Sequence, residues 1–181
     1  RKNKKNSKNF TTGVSINHLC LNDNDVGDFK TFLKFSPPLR SENDRKSLID
    51  AINTGLIDVI TSAHKPEDEE SKRLPFAQAA TGSIGVETLL PLVLELYHNK
   101  SIKLQKLIEL ITVNPAKILK INKGTLKTGR DADICLFDLD EPWKVDVNTL
   151  KSKSKNAAIE NKTLQGKVLM TFLKGELVFQ N

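Results

Sequence analysis

Apolar residues follow two different spacings along the chain, and together these spacings predict an α/β protein. Runs rich in β-branched residues predict strands at residues 10–19, 56–60, 133–137, 166–174 and 176–179. Apolar residues three and four positions apart predict helices at residues 41–54, 85–98 and 104–119. Strands that alternate with helices favour a parallel barrel, although the pattern by itself also fits a doubly wound sheet.

The helix at residues 41–54 carries the strongest local signals. Ser41 can cap its first turn, and Asp44 can reach back as in a capping box. Ile49 and Ile52 fall on one face, and Gly55 is suited to end the helix. The sequence therefore predicts a helix that leads directly into the strand at residues 56–60.

The polar residues after that strand form the best candidate for chemistry. Residues 62–67 follow its carboxyl end, and in a parallel α/β barrel the catalytic side chains lie at the carboxyl ends of strands and on the loops after them. Gly82 and Gly85 then lead into the next predicted helix. We therefore expect a site built around residues 58–92.

Five segments stand out along the chain: SPPLRSENDR at residues 36–45, KRLPFAQAATGSIGVETLLPL at 72–92, NPAKIL at 114–119, GTLKTGRDADICLFD at 124–138 and the segment at 152–179. In this order they resemble class I dihydroorotases of the cyclic amidohydrolase family. The resemblance implies the carboxyl-terminal part of a TIM-type (β/α)8 metallo-dependent hydrolase barrel plus part of a small β-sandwich domain. We assign residues 1–121 to the barrel and residues 122–181 to the β domain. A complete barrel needs roughly 250 residues, more than the chain's 181.

The chain departs from the family at positions that matter for catalysis. Ala63 stands where the resemblance places the catalytic Asp, and a methyl group can neither ligate a metal nor move a proton. The resemblance therefore implies no catalytic residue here, unless a neighbouring carboxylate such as Glu67 or Asp68 replaces the missing one. The substrate-binding positions that it implies are Ser36, Glu67, Ala80, Thr81 and Gly82. Ser36 replaces an Asn, and Glu67 replaces a His and is expected to repel a carboxylate substrate.

Two functions remain open. The first is a non-catalytic dihydroorotase-like protein of pyrimidine biosynthesis that acts as a structural partner of aspartate transcarbamoylase in a homo- or hetero-oligomer. The second is a zinc-dependent dihydroorotase that interconverts N-carbamoyl-L-aspartate and L-dihydroorotate. Active members use zinc, but the family's metal ligands precede the matching segment, so we expect no metal site and no cofactor bound by this chain alone.

The net charge, the cysteines and the lengths of the apolar runs indicate which partners and which cellular compartment to expect. The formal charge is +6, and RKNKKNSK at residues 1–8 lacks the interleaved aromatics of a nucleic-acid module, so we expect a solvated end and no nucleic-acid partner. Cys20 and Cys135 predict small core residues in a reducing compartment. No apolar run reaches the roughly 20 residues of a membrane span. A cytoplasmic protein is the simplest interpretation.

Four further side chains invite both structural and functional interpretations. His18 is expected to pack or donate a hydrogen bond near the site, and His98 to lie at the surface or at a helix end. Arg40 could contact an anion, but a salt bridge that holds its loop is the favoured interpretation. Trp143 is expected to pack in the core as part of a connector at residues 141–145.

Overall fold

The computed structural model describes residues 10–181, and the basic segment at residues 1–8 lies outside the described residues. The strands are β1 (Gly13–Ser15), β2 (Val59–Thr61), β3 (Ile134–Lys144), β4 (Thr163–Leu173) and β5 (Glu176–Gln180). The α-helices are α1 (Ile16–Cys20), α2 (Glu42–Asn53), α3 (Glu69–Arg73), α4 (Leu89–His98), α5 (Leu104–Ile111) and α6 (Val113–Ile118). Short 3-10 helices cover Asp23–Val26 and Thr31–Leu33.

β1 and β2 pair in parallel, with Val14 opposite Ile60 and Ser15 opposite Thr61. The prediction of a continuous strand at residues 10–19 is wrong in its second half, because α1 begins at Ile16. Ser15 caps this helix by accepting a hydrogen bond from the backbone N–H of Asn17. Ile16 and Leu19, three positions apart, are both fully buried, as expected for one face of a helix.

The predicted helix at residues 41–54 is confirmed as α2. The Ser41 hydroxyl accepts a hydrogen bond from the backbone N–H of Asp44 at 3.2 Å and donates one to the Asp44 carboxylate at 2.7 Å. Ile49 and Ile52 are buried on its inner face. Gly55 follows with a φ of +73°, a backbone conformation that favours glycine.

The two other predicted helices are shorter than expected. The first begins at Leu89 rather than at residue 85. The second is interrupted at Thr112, where φ is −127° and ψ is −76°, so that α5 and α6 are separate helices. Pro115 explains the break, since proline has no N–H to donate to the carbonyl of Ile111 four residues earlier.

The second sheet is antiparallel, in the order β3-β4-β5. β3 extends through the predicted connector at residues 141–145 as far as Lys144, with register shifts around Leu136 and between Asp138 and Pro142. Pro142 fits because β3 is an edge strand, where no ladder N–H is needed on the outer side. Trp143 packs against the core as predicted, and its indole N–H donates to the carbonyl of Gly166 at 2.9 Å.

The last hairpin has the predicted turn, with φ of +52° at Lys174 and +86° at Gly175. Among the described residues β5 pairs only with β4, and all five of its residues are exposed. They include Leu177, Val178 and Phe179. An edge strand of this kind presents free backbone groups for pairing with another chain segment.

Buried apolar residues between Ile16 and Leu164 form one cluster. It includes Ile52 on α2, Ile60 on β2, Leu92 on α4 and Leu164 on β4. The core thus crosses residue 121, and the division of the chain into residues 1–121 and 122–181 stays a prediction. No helix within residues 10–181 is long and apolar enough to cross a membrane.

The two cysteines differ in environment, which corrects one prediction. Cys135 is exposed on the edge strand β3 and is not a core residue. Cys20 is half-buried against the core, and its thiol donates to the carbonyl of Leu92 at 3.5 Å. Burial, with a smaller contribution from the charge of Glu95, raises the pKa of Cys20 to about 12.

We therefore expect iodoacetamide to alkylate Cys135 at least about tenfold faster than Cys20 at pH 8, because the thiolate is the reacting species. Mass spectrometry of time points, with a Cys135→Ser variant as the control, measures both rates. Burial also raises the pKa of Cys135, but that thiol is accessible to reagent. Equal rates at the two cysteines would contradict the assignment of Cys20 to a protected position.

Candidate active site

The parallel pairing of β1 and β2 places the segments that follow them at one edge of the sheet. Ser15 and Thr61 end the two strands side by side. α1 leaves the first strand, and residues 62–67 leave the second. This edge is where a parallel α/β barrel carries its chemistry, so the structure puts the candidate residues in a suitable place.

Ala63 lies two residues beyond β2, exposed, with a φ of +48°. This left-handed conformation costs an Ala residue about 1 kcal/mol, whereas Asp and Asn adopt it more readily. The backbone at this position therefore accommodates an Asp, but the side chain present is a methyl group. No proton can be held or moved by residue 63.

His64 directs one ring nitrogen at the backbone. Its Nδ1 accepts hydrogen bonds from the N–H groups of Gly85, at 3.0 Å, and Val86, at 3.4 Å. Both contacts use Nδ1 as the acceptor. Because the Nδ1 lone pair already serves the 85–86 backbone, His64 acts here as a structural link between two loops.

The first two carboxylates that follow Ala63 in sequence are both engaged. Glu67 forms an ion pair with Lys65 at 2.9 Å. Asp68 caps α3 by accepting a hydrogen bond from the backbone N–H of Ser71 at 2.7 Å, and this bond lowers the pKa of the Asp68 carboxyl. The expectation that Glu67 repels a carboxylate changes accordingly, because the ammonium of Lys65 compensates its charge.

A loop at residues 77–82 receives lysine side chains from three segments, and we call it the carbonyl loop. Lys34 donates to the carbonyls of Ala77 and Ala79, at 2.9 and 2.7 Å. Lys72 donates to those of Ala80 and Gly82, at 2.9 and 2.8 Å. Lys65 donates to the Thr81 carbonyl at 2.7 Å. These lysine side chains thus hold in place the loop that contains the predicted positions Ala80, Thr81 and Gly82.

Lys72 is the least expected of these groups. Only 1% of the residue is exposed, and burial lowers the pKa of its ammonium. Carbonyl acceptors replace the water that a buried cation loses. Sequence reasoning missed this residue because it stands in the charged block at residues 67–73, a pattern typical of a solvated loop.

Asn156 connects the site to the carboxyl-terminal third of the chain. It is 3% exposed. Its Nδ2 donates to the carbonyls of Lys65, at 3.2 Å, and Gly82, at 3.3 Å, while its Oδ1 accepts from the Glu67 N–H at 3.3 Å. Sequence reasoning missed it too, since it lies in a Lys-rich segment about 90 positions away from its partners.

The remaining predicted residues are placed less centrally. Ser36 is exposed at the end of the short segment that begins with Lys34, whose carbonyl accepts the Gly82 N–H at 2.8 Å. His18 donates from Nε2 to the carbonyl of Pro37 at 3.0 Å, consistent with its predicted hydrogen-bonding role.

The Arg40 side chain is exposed and forms no ion pair with any residue from 10 to 181, so the predicted salt bridge is wrong. His98 ends α4 as predicted and bonds to the Leu139 carbonyl at 2.9 Å.

The described residues do not fit a zinc ion. No group of three His, Cys, Asp or Glu side chains within residues 10–181 is arranged to hold a metal. His64, the one His in the loop after β2, uses its Nδ1 for the backbone.

A parallel strand pair with its polar loops at one edge, followed by helices and an antiparallel sheet, is the carboxyl-terminal part of a TIM-type hydrolase barrel with part of its small β domain. Comparison with known proteins agrees. Residues 2–178 match the amidohydrolase family, and the chain belongs to that family. L-Hydantoinase from Arthrobacter aurescens superposes with a TM-score of 0.93 at 29% identity, covering 99% of this chain and 41% of that chain. Dihydropyrimidinase from Brevibacillus agri superposes with a TM-score of 0.90 at 24% identity, covering 99% and 41%, which supports the fold alone.

Similar sequences carry the name dihydroorotase, which confirms the resemblance. The protein of that name from Ehrlichia canis is 41% identical over 169 residues, covering 93% of this chain and 38% of the relative. That from Acetivibrio thermocellus is 40% identical over 179 residues, covering 98% and 42%. The chain thus spans about two fifths of the length of the curated relatives that it matches.

Proposed function

We propose that the protein is a dihydroorotase-like member of pyrimidine biosynthesis that does not hydrolyse the cyclic amide. The carrying observation is Ala63 at the carboxyl end of β2, where the chemistry requires a carboxylate within hydrogen-bond reach of the attacking water. Glu67 and Asp68, which could replace it, are committed to Lys65 and to the first turn of α3.

The role that we propose is structural, with the barrel kept as a partner of aspartate transcarbamoylase in a cytoplasmic homo- or hetero-oligomer. The exposed edge strand β5, with Leu177, Val178 and Phe179, supports association with another protein surface. Co-purification of the longest natural version with the transcarbamoylase from the same cells tests this role. Recovery of the folded protein without the transcarbamoylase would contradict it.

A second candidate function is a zinc-dependent dihydroorotase that interconverts N-carbamoyl-L-aspartate and L-dihydroorotate. The favouring observation is the roughly 40% identity to proteins that carry this name. In this case the missing ligands and a substitute acid have to come from residues outside the present chain or from a rearranged 62–68 segment.

Turnover of L-dihydroorotate in the presence of zinc separates the two functions. We expect the longest natural version of the protein not to turn over L-dihydroorotate. At saturating L-dihydroorotate we expect Ala63→Asp to turn over about 10²- to 10⁴-fold faster than Ala63→Asn, the usual contribution of a general acid or base. Ala63→Asn is the matched control, because Asn also tolerates the positive φ but carries no ionisable group.

Turnover by the unmodified protein would overturn the proposal and establish the enzyme. Glu67→Gln and Asp68→Asn would then identify the substitute carboxylate, since each removes one charge with little change in shape. Equal activity of the Asp and Asn variants at residue 63 would show that a carboxylate at this position is not what the site lacks.

A further inference from the structure

The Lys65 ammonium forms several hydrogen bonds with the carbonyl loop, although the residue is solvent-exposed. Its ammonium reaches the Thr81 carbonyl at 2.7 Å, the Thr81 hydroxyl at 3.2 Å and the Glu67 carboxylate at 2.9 Å. These three acceptors match the three N–H donors of an ammonium. Lys65 thus spans from the loop after β2 to the carbonyl loop and uses its whole hydrogen-bonding capacity there.

The aliphatic part of Lys65 also covers the loop. A Cβ built on Gly82 would lie 2.6 Å from Cδ, 2.8 Å from Cβ and 2.9 Å from Cγ of Lys65. Only a residue without a side chain lets the lysine stem lie this close. Gly82 has a φ of +120°, so the backbone here is shaped for glycine as well.

A cyclic amide would compete with these side chains for backbone carbonyls of the same loop. Such a ligand presents ring N–H groups, which require carbonyl acceptors near the reacting centre. The carbonyls of Ala80 and Gly82 already accept from Lys72, and that of Gly82 also accepts from Asn156. The Thr81 carbonyl accepts from Lys65. Lys72 and Asn156 are buried, whereas about half of the Lys65 side chain is exposed, so Lys65 is the group that a ligand would have to displace.

We propose that Lys65 is a specificity-determining residue that closes the candidate site to cyclic amides by acting as an internal ligand of the carbonyl loop. The inference rests on the proposed function, because it assumes that this site descends from one for a cyclic amide. It adds a second reason for the absence of hydrolysis. Restoring a carboxylate at residue 63 then gives turnover only at high substrate concentration unless Lys65 is also removed.

The test uses the full-length natural protein and dihydrouracil as the probe, because this cyclic amide carries no carboxylate that the Glu67 charge would repel once Lys65 is removed. Lys65→Met removes the ammonium and keeps the stem over Gly82, while Lys65→Ala removes both. Lys117→Ala is the control, because Lys117 is an exposed lysine on the separate helix α6. Isothermal titration calorimetry measures binding. Hydrogen exchange of the peptide at residues 77–85 measures opening of the loop, with α2 as the internal reference for folding.

We expect the affinity to rise from the unmodified protein to Lys65→Met to Lys65→Ala, by about tenfold or more in total, as one charge-assisted hydrogen bond is removed. Exchange at residues 77–85 should rise in the same order, and Lys117→Ala should match the unmodified protein. The inference is overturned if both Lys65 variants bind no better than the unmodified protein. If Lys65→Ala loses hydrogen-exchange protection in α2, that variant is not fully folded, and the affinity of Lys65→Met alone then tests the inference. Turnover by the unmodified protein would refute the proposed function but leave this binding order to be judged separately.

Discussion

Gly166→Ala is expected to destabilise the protein by about 3–4 kcal/mol. Gly166 lies on β4 with a φ of +105°, and an added Cβ would lie 2.3 Å from Cδ1, 3.4 Å from Cγ and 3.5 Å from Cβ of Leu94. Leu94 is fully buried on α4, so its side chain cannot move out into solvent. The substitution therefore combines backbone strain with overpacking at the contact between α4 and β4.

Gly129→Ala separates these two costs. Gly129 has a comparable φ of +83°, but nothing lies within 4 Å of the position of its added Cβ. We expect this control to lose only the backbone term, about 1 kcal/mol. Urea unfolding of the full-length protein, followed by circular dichroism, measures both variants through the midpoint at constant slope.

The contact with Leu94 has its own test. In a Leu94→Ala background the added methyl group at residue 166 finds space, so Gly166→Ala should cost at least about 1 kcal/mol less than in the unmodified protein. Equal costs in the two backgrounds would assign the whole effect to the backbone. A loss no greater than that of Gly129→Ala would contradict the close packing of α4 on β4.

The fold was predictable where its causes are local. α2 needs only its cap, its apolar stripe and the glycine after it, and all of these are adjacent in sequence. The helix break at Thr112 also has a local cause, Pro115. Sequence reasoning missed it because apolar residues keep a helical spacing over residues 104–119. The strand predicted at residues 10–19 failed because Ile16 and Leu19 fit both a strand run and a helix face, and burial in the tertiary structure decides between them.

The candidate site was predictable only in part. The sequence pattern places residues 62–67 after a strand end and shows that residue 63 is an Ala, and the family resemblance implies that residues 80–82 belong to the same site. The sequence does not show which atoms a lysine side chain will bind. Lys34, Lys65 and Lys72 belong to three different segments, and their shared target appears only after the chain folds. A buried cation satisfied by carbonyls leaves no pattern in sequence, because its partners are backbone atoms.

Asn156→Ala is expected to cost about 2–3 kcal/mol, the second large effect on stability. The Asn156 amide is the one side chain that joins the Lys65 carbonyl, the Gly82 carbonyl and the Glu67 N–H. Gly82 keeps its bond from Lys72 when the amide is removed. The other two backbone groups lose the partner that Asn156 supplies in a partly buried setting, and such losses dominate the cost.

Asn148→Ala is the matched control, because Asn148 is exposed and its amide bonds only locally, to the Asp146 carboxylate at 3.0 Å. We expect this variant to lose less than about 0.5 kcal/mol. Urea unfolding gives both values, and hydrogen exchange shows where the effect lies. Protection should fall at residues 64–67 and 82–84 in Asn156→Ala, while α2 stays protected. Similar stability of the two variants would mean that the Asn156 amide does not hold the loop after β2.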